Sequence, residues 1–126
     1  MDKEKWHPGK LLETSGYYWR TCTLHAGVKL DLFTIIGTAQ PSAATVAEKL
    51  EASIDGTTRL LDALTAMGLL SKSADGYANT EASAAYLVKN SPKYLGHMIM
   101  HHHHLVEQWS RLDVSVSSGK PVRTRE

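Results

Sequence analysis

The spacing of apolar positions changes along the chain, and each change marks an element. A polar arm, residues 1–9, closes at Pro8-Gly9, and a helical pattern starts near Lys10. Leu12, Trp19, Cys22, Ala26, Leu30 and Phe33 recur at steps of three, four or seven, the spacing of one helix face. Gly16 and Gly27 weaken this helix by about 1 kcal/mol each relative to Ala, and a bend near Gly27 is expected. The segment ends in LDLFTIIG, with Gly37 as the stop. Ala39-Gln40-Pro41 is a connector, and Ser42 is placed to cap a helix over 43–50 with Val46, Ala47 and Leu50 inward. Residues 52–54 then turn, and Asp55 is the expected cap of a helix carrying Leu60, Leu61, Leu64 and Met67. Gly68 closes that helix.

Beyond Gly68 the period shortens. Residues 69–72 predict a strand, Asp75-Gly76 a turn, and Tyr77-Ala78-Asn79 a returning strand. Thr80 caps a further helix with Ala84, Tyr86, Leu87 and Val88, which Asn90-Ser91-Pro92 breaks. A last helix is expected from about Tyr94 to Val116, with Leu95, Ile99, His102, Val106, Trp109 and Leu112 on one face. The run from Ser117 to Pro121 ends it. Two short helices, a small hairpin and a third helix make a winged-helix layout. The fold class is therefore mainly α: a winged-helix-like helical domain with a small β-hairpin wing, flanked by N- and C-terminal helices. Such a fold either reads DNA or pairs two subunits whose chemistry lies elsewhere.

Charge bears on that choice. The 126 residues fit one domain, and their formal charge is only +1. In a DNA-reading winged helix the second helix of the pair enters the major groove and the wing touches phosphate. Here that helix has Arg59 as its only basic residue, against Asp55 and Asp62, and the wing sets Lys72 against Asp75. Arg59 is expected to pair with Asp62 or Asp55 on its own helix. Several phosphate-binding cations are needed for affinity, and this surface lacks them. A DNA-binding transcription regulator is thus the alternative reading, and no nucleic-acid partner is expected.

The N-terminus carries no signal-peptide pattern, and no run of 18 apolar residues suggests a membrane span. The single cysteine, Cys22, cannot form an internal disulfide, which suits a reducing cytoplasm. It reads as a small buried apolar residue.

Four segments carry a family likeness. LHAGVKLDLFTII, PSAATVAEKLEAS, TTRLLDALTAMGLLSKSADGYANTEASAAYLV and LVEQWSRLDVSVSSGKPV occur in order at fitting spacing and cover nearly the whole chain. Together they resemble the N-terminal domain of S-adenosylmethionine-dependent small-molecule O-methyltransferases. RLLDAL, MGLL and DGY alone are common among winged helices; the trailing tryptophan and SSGKP tilt the likeness to this family. The resemblance implies a homodimer in which this domain pairs subunits and partly walls the pocket of a small, aromatic or polyketide-like hydroxyl acceptor. It implies S-adenosylmethionine as cofactor, bound by a C-terminal catalytic domain. This chain departs from the pattern by stopping where that domain is expected. It has no G-x-G turn and no alternation of strands and long helices to hold the cofactor. The chain alone is therefore expected to bind no cofactor, to carry no catalytic residue and to transfer no methyl group. Whether it counts as an enzyme stays open at this point. Residues 10–116 form the expected dimerisation domain, and 117–126, with Lys120, Arg123 and Arg125, a linker.

Candidate site residues follow. On a helix His97, His101 and His104 share a face with Gln108, a spacing from which His pairs can chelate a metal. Glu107 lies on another face, so no metal site is assigned, and a polar face or pocket wall is preferred over a general base. The likeness gives Ile99, Met100 and His103 a place in the acceptor pocket, where an apolar, adaptable surface suits an aromatic acceptor. Tyr17, Tyr18 and Trp19 are consecutive, and no single intramolecular face buries three adjacent positions of a helix. Aromatics favour subunit contacts, and these three are the candidate dimer interface.

Overall fold

The computed structural model describes residues 5–122. Residues 1–4 of the arm, and the end of the linker with Arg123 and Arg125, lie outside the described residues. Helix α1 (Pro8–Ser15) starts at a proline, where the missing N–H loses no helical bond. His7 caps it, its Nδ1 accepting from the Lys10 N–H at 3.3 Å. Gly16 interrupts the helix, and α2 (Tyr17–Lys29) follows at once. The single long helix expected from Lys10 is therefore cut at Gly16 and again at Asp31, which takes a left-handed φ of 56°. Gly27 does not bend it. It lies inside α2, buried, where an added Cβ would sit 3.0 Å from Phe33 and 3.2 Å from Leu64.

Helix α3 (Leu32–Ile36) is short because nearly all of it is core: Leu32, Phe33 and Ile36 are fully buried. Ser42 caps α4 (Ala43–Leu50) by accepting from the Thr45 N–H, with Val46 and Ala47 facing inward. The cap of α5 (Ile54–Ala66) is Ser53, which accepts from the Gly56 N–H at 3.0 Å. Asp55 instead sits in the first turn, where its charge faces the positive end of the helix dipole. At the other end Leu69 N–H bonds to Leu64 C=O and Gly68 N–H to Thr65 C=O. This pair of bonds, with Gly68 at φ 84°, satisfies the last free carbonyls.

Strands β1 (Leu70–Ser73) and β2 (Gly76–Asn79) pair antiparallel, with Ser73 opposite Gly76, so Ala74 and Asp75 form the loop and Gly76 opens the return strand. The hairpin is pinned to the connector before α4, because Tyr77 N–H donates to Pro41 C=O at 2.9 Å. Gly76 makes this possible: its φ is 146°, and a Cβ there would meet the Gln40 and Pro41 carbonyl oxygens at 2.3 and 2.4 Å. Asn79 adds a second tie. Its amide donates to the Phe33 and Gly37 carbonyls, both at 3.0 Å, and its oxygen accepts from Ser83.

Helix α6 (Glu81–Tyr86) begins with a reciprocal cap between Thr80 and Ser83. The helix expected to run to Val116 divides into α7 (Gly96–Trp109) and α8 (Leu112–Ser118). Ser110 lies at the break, and its hydroxyl bonds back to the Glu107 carbonyl, a local bond that competes with helix continuation. The core gathers Val28, Leu32, Phe33, Ile36, Val46, Leu61, Leu64, Leu70, Tyr77 and Leu87, and α7 leans on it through Ile99 and Met100.

Two substitutions test the close approaches. Gly27→Ala crowds side chains and should cost about 1–3 kcal/mol, the usual range for overpacking. Gly76→Ala crowds two backbone carbonyls at a positive φ and should cost more than Gly27→Ala. Urea midpoints of both variants check the order; equal midpoints to the parent at Gly76 would contradict the pinned wing.

Candidate functional site: an apolar groove between helices α2 and α7

Aromatic side chains collect outside the core. Tyr17, Tyr18 and Trp19 on α2 are 52%, 63% and 66% exposed, and Trp109 at the end of α7 is 66% exposed. Tyr18 and Trp19 touch edge to face, with ring centroids 5.7 Å apart. Tyr18 and Trp109 line a groove of about 540 Å³ between α2 and α7, together with Cys22, His102, Leu105 and Val106. Cys22 is exposed at this groove rather than buried as a small core residue. The reason is the phase of the helix: the inward stripe runs through His25, Val28 and Leu32, one residue away from the stripe expected through Cys22 and Ala26. Trp109, Leu112 and Val122 line a second, smaller hollow beside it. Leu11 and Leu12 on α1 and Val114 and Val116 on α8 are exposed as well. Single exposed apolar residues are ordinary, but a lined groove rimmed by aromatics marks a contact surface.

Ile99 and Met100 sit half-buried against the core, and His103 turns inward to His25. None of the three lines the groove, whose α7 wall is His102, Leu105, Val106 and Trp109. His97 packs edge-on against Tyr94, while His101 and His104 are exposed. Among the described residues no three His, Cys, Asp or Glu side chains gather so that they could hold a metal ion.

His25 went unnoticed in the sequence because the expected stripe passed beside it. Only 4% of it is exposed, and its Nδ1 is buried with no hydrogen-bond partner. Its ring meets that of His103 edge-on, with centroids 5.4 Å apart and planes at 83°. Burial, and then the nearby His103 and His102, push its pKa below the usual imidazole range.

The cations of the wing and of α5 are engaged by acids. Lys72 Nζ lies 3.0 Å from Asp62, not against Asp75, and Arg59 Nε lies 3.3 Å from Asp55. Tyr77 also donates its hydroxyl to Asp62. The Tyr77 hydroxyl, followed by Lys72, holds the Asp62 carboxyl below the usual carboxylate range, so the wing is latched to α5 by a charged group. Among the described residues the only sheet is this antiparallel pair, so no crevice at the ends of parallel strands is available for a nucleotide-like cofactor. No described helix is long and apolar enough to cross a membrane.

Comparison with known proteins places this arrangement. The chain is 38% identical over 114 residues to the human "Probable bifunctional dTTP/UTP pyrophosphatase/methyltransferase protein", covering 89% of this chain and 18% of that protein. It is 30% identical to the 3-hydroxy-5-methyl-1-naphthoate 3-O-methyltransferase of Streptomyces sahachiroi, covering 92% and 34%. An O-methyltransferase family protein from Burkholderia thailandensis superimposes with a TM-score of 0.86 at 30% identity, over 94% of this chain and 36% of that one. The chain thus spans about a fifth to a third of the length of these curated relatives. Residues 12–89 match the family profile described as the O-methyltransferase dimerisation domain, and the chain belongs to that family.

Proposed function

We propose that this chain serves as the homodimerisation and acceptor-pocket-forming domain of an S-adenosylmethionine-dependent methyltransferase. The observation that carries the pairing is the groove between α2 and α7 with its exposed Tyr18 and Trp109. One copy of the chain leaves these rings in water, and a second copy that brings its own Tyr17, Tyr18 and Trp19 would remove them from it. Residues 10–116 act as the pairing unit, and 117–126 as the link to a catalytic domain. The acceptor is a small aromatic or polyketide-like molecule with a hydroxyl group, a class that the naphthoate-acting relative supports. Ile99, Met100 and His103 wall its pocket from the α7 side, once the catalytic domain closes over them. Cofactor binding and methyl transfer are assigned to that catalytic domain rather than to the residues of this chain. A cytoplasmic setting suits the exposed, unpaired Cys22.

The DNA-reading alternative has the winged-helix layout in its favour and the charge distribution against it. Lys72 and Arg59 both face carboxylates. A protein that holds duplex DNA needs such cations free to displace counterions from phosphate.

The chain should sediment as a dimer at concentrations of about 100 μM, within reach of a micromolar Kd. Trp19→Glu combined with Trp109→Glu should give a monomer with an unchanged far-ultraviolet circular dichroism spectrum. A parent chain that is monomeric throughout, or that retains duplex DNA at physiological salt with sub-micromolar affinity, would overturn the pairing role. The pocket role is checked separately by reading the source gene beyond the codon for Glu126. A strand followed by closely spaced glycines is expected there; an immediate stop codon would remove the acceptor-pocket part and leave the pairing part standing.

A further inference from the structure

We infer that the seam between α2 and α7 is a pH-sensitive joint: His25, buried against His103 with its Nδ1 unpartnered, releases α7 from α2 when an imidazole proton is added. The geometry is specific. His25 is 4% exposed, and no hydrogen bond holds its Nδ1. The ring it packs against is itself ionisable, edge-on at a centroid distance of 5.4 Å. A proton on the His25 ring places charge in a seam that offers no acceptor at its Nδ1, beside a second ring that can itself carry charge.

Among the described residues none pairs with the His25 Nδ1, and the carboxylates of the neighbouring helices have other partners or lie at the surface. The groups that act on His25 are His103 and His102, both on α7 and both opposing a proton. On α5, Asp55 is paired with Arg59, and Asp62 with Lys72 and Tyr77. Helix α3 contains no titratable residue, and Asp31 before it is paired with Lys89. On α1, Glu13 accepts from the Tyr17 hydroxyl, and Lys10 stands over the Trp6 ring. On α2 itself, Arg20 and Lys29 are cations and cannot offset a proton on His25. Glu107 is exposed on α7 one helical turn beyond His103, and it makes no bond to the His25 Nδ1.

The direction of the effect follows from linkage. Once the seam opens, His25 takes protons at its ordinary value of 6.5; in the closed seam it takes them only at lower pH. The open state therefore binds more protons between those two values. Closure is complete above about pH 6.5 and weakens by up to about tenfold per pH unit below it, until the closed-state value is reached. Helix α7 carries Ile99, Met100 and Trp109, so the joint bears on whatever those side chains contact.

Nuclear magnetic resonance of the labelled chain between pH 8 and pH 5 tests this. The His25 ring should titrate below the ordinary imidazole value of 6.5. Amide protection in α7, corrected for intrinsic exchange, should fall by up to about tenfold per pH unit below 6.5, while β1 and β2 hold steady. His25→Phe keeps a ring and removes the proton site, so its α7 protection should be flat with pH. Should that variant fail to fold, His103→Gln decides: it leaves His25 in place, and the His25 midpoint should rise toward 6.5. A His25 midpoint at or above 6.5, an unchanged slope in His25→Phe, or an unmoved midpoint in His103→Gln would each overturn the inference. The His25 midpoint and its shift in His103→Gln are read on the ring itself, whereas the pairing role is read by sedimentation, so failure of one is distinguishable from failure of the other.

Discussion

The close approach at Gly27 seats helix α2, which carries one wall of the groove and of the histidine seam, against the core. A Cβ at this position would press on the Phe33 and Leu64 side chains, which would have to give way, and both of those residues are fully buried. With α2 seated at that depth, Val28 and His25 face inward, and Tyr18 and Cys22 fall on the flank that α7 shares. The groove, the histidine seam and the exposed aromatic run are thus three faces of one helix whose rotation Gly27 helps to fix. Glycine disfavours a helix interior by about 1 kcal/mol, so its presence mid-helix implies a packing gain of at least that order.

The wing depends on a different kind of restraint, made of backbone rather than side-chain volume. A lone two-stranded hairpin is marginal in water, and this one is held from both ends. Its first return residue lies against the Pro41 carbonyl, and its last, Asn79, bonds to the Phe33 and Gly37 carbonyls at the end of α3. The Asp62 carboxylate then latches Tyr77 and Lys72 to α5. The hairpin is therefore a part of the helical body.

Local signals made most of this fold legible in the sequence. The caps at Ser42 and Thr80, the closure at Gly68 and the hairpin all follow from residues within a few positions of one another, whereas α6 ends at Tyr86, ahead of the break expected at Asn90. The departures come from contacts that cross the chain. Gly27 reads as a helix breaker until Phe33 and Leu64 are seen beside it. Asp55 and Ser53 are both good caps, and only the register of the first turn chooses Ser53. The site was legible in part for the same reason. Three consecutive aromatics stand out in any sequence, and their exposure follows from geometry alone. The groove that Tyr18 and Trp109 share, and the pairing of His25 with His103, join residues more than seventy positions apart, and no spacing rule reaches that far.

The same layout that can read DNA has here its cations paired with carboxylates and its apolar rings exposed. Lys72 and Arg59 lie where a reading helix and wing would offer cations, yet each faces a carboxylate at 3.0 to 3.3 Å. Exposed pairs of this sort contribute little stability. What they do change is the field, since a cation beside a carboxylate presents little net charge to a polyanion at a Debye length of about 8 Å. The apolar rings, in contrast, cannot be neutralised locally and must find cover from outside the monomer or remain hydrated. A surface that is electrostatically quiet on the wing and apolar on the flank agrees better with the proposed pairing of two protein surfaces than with the DNA-reading alternative.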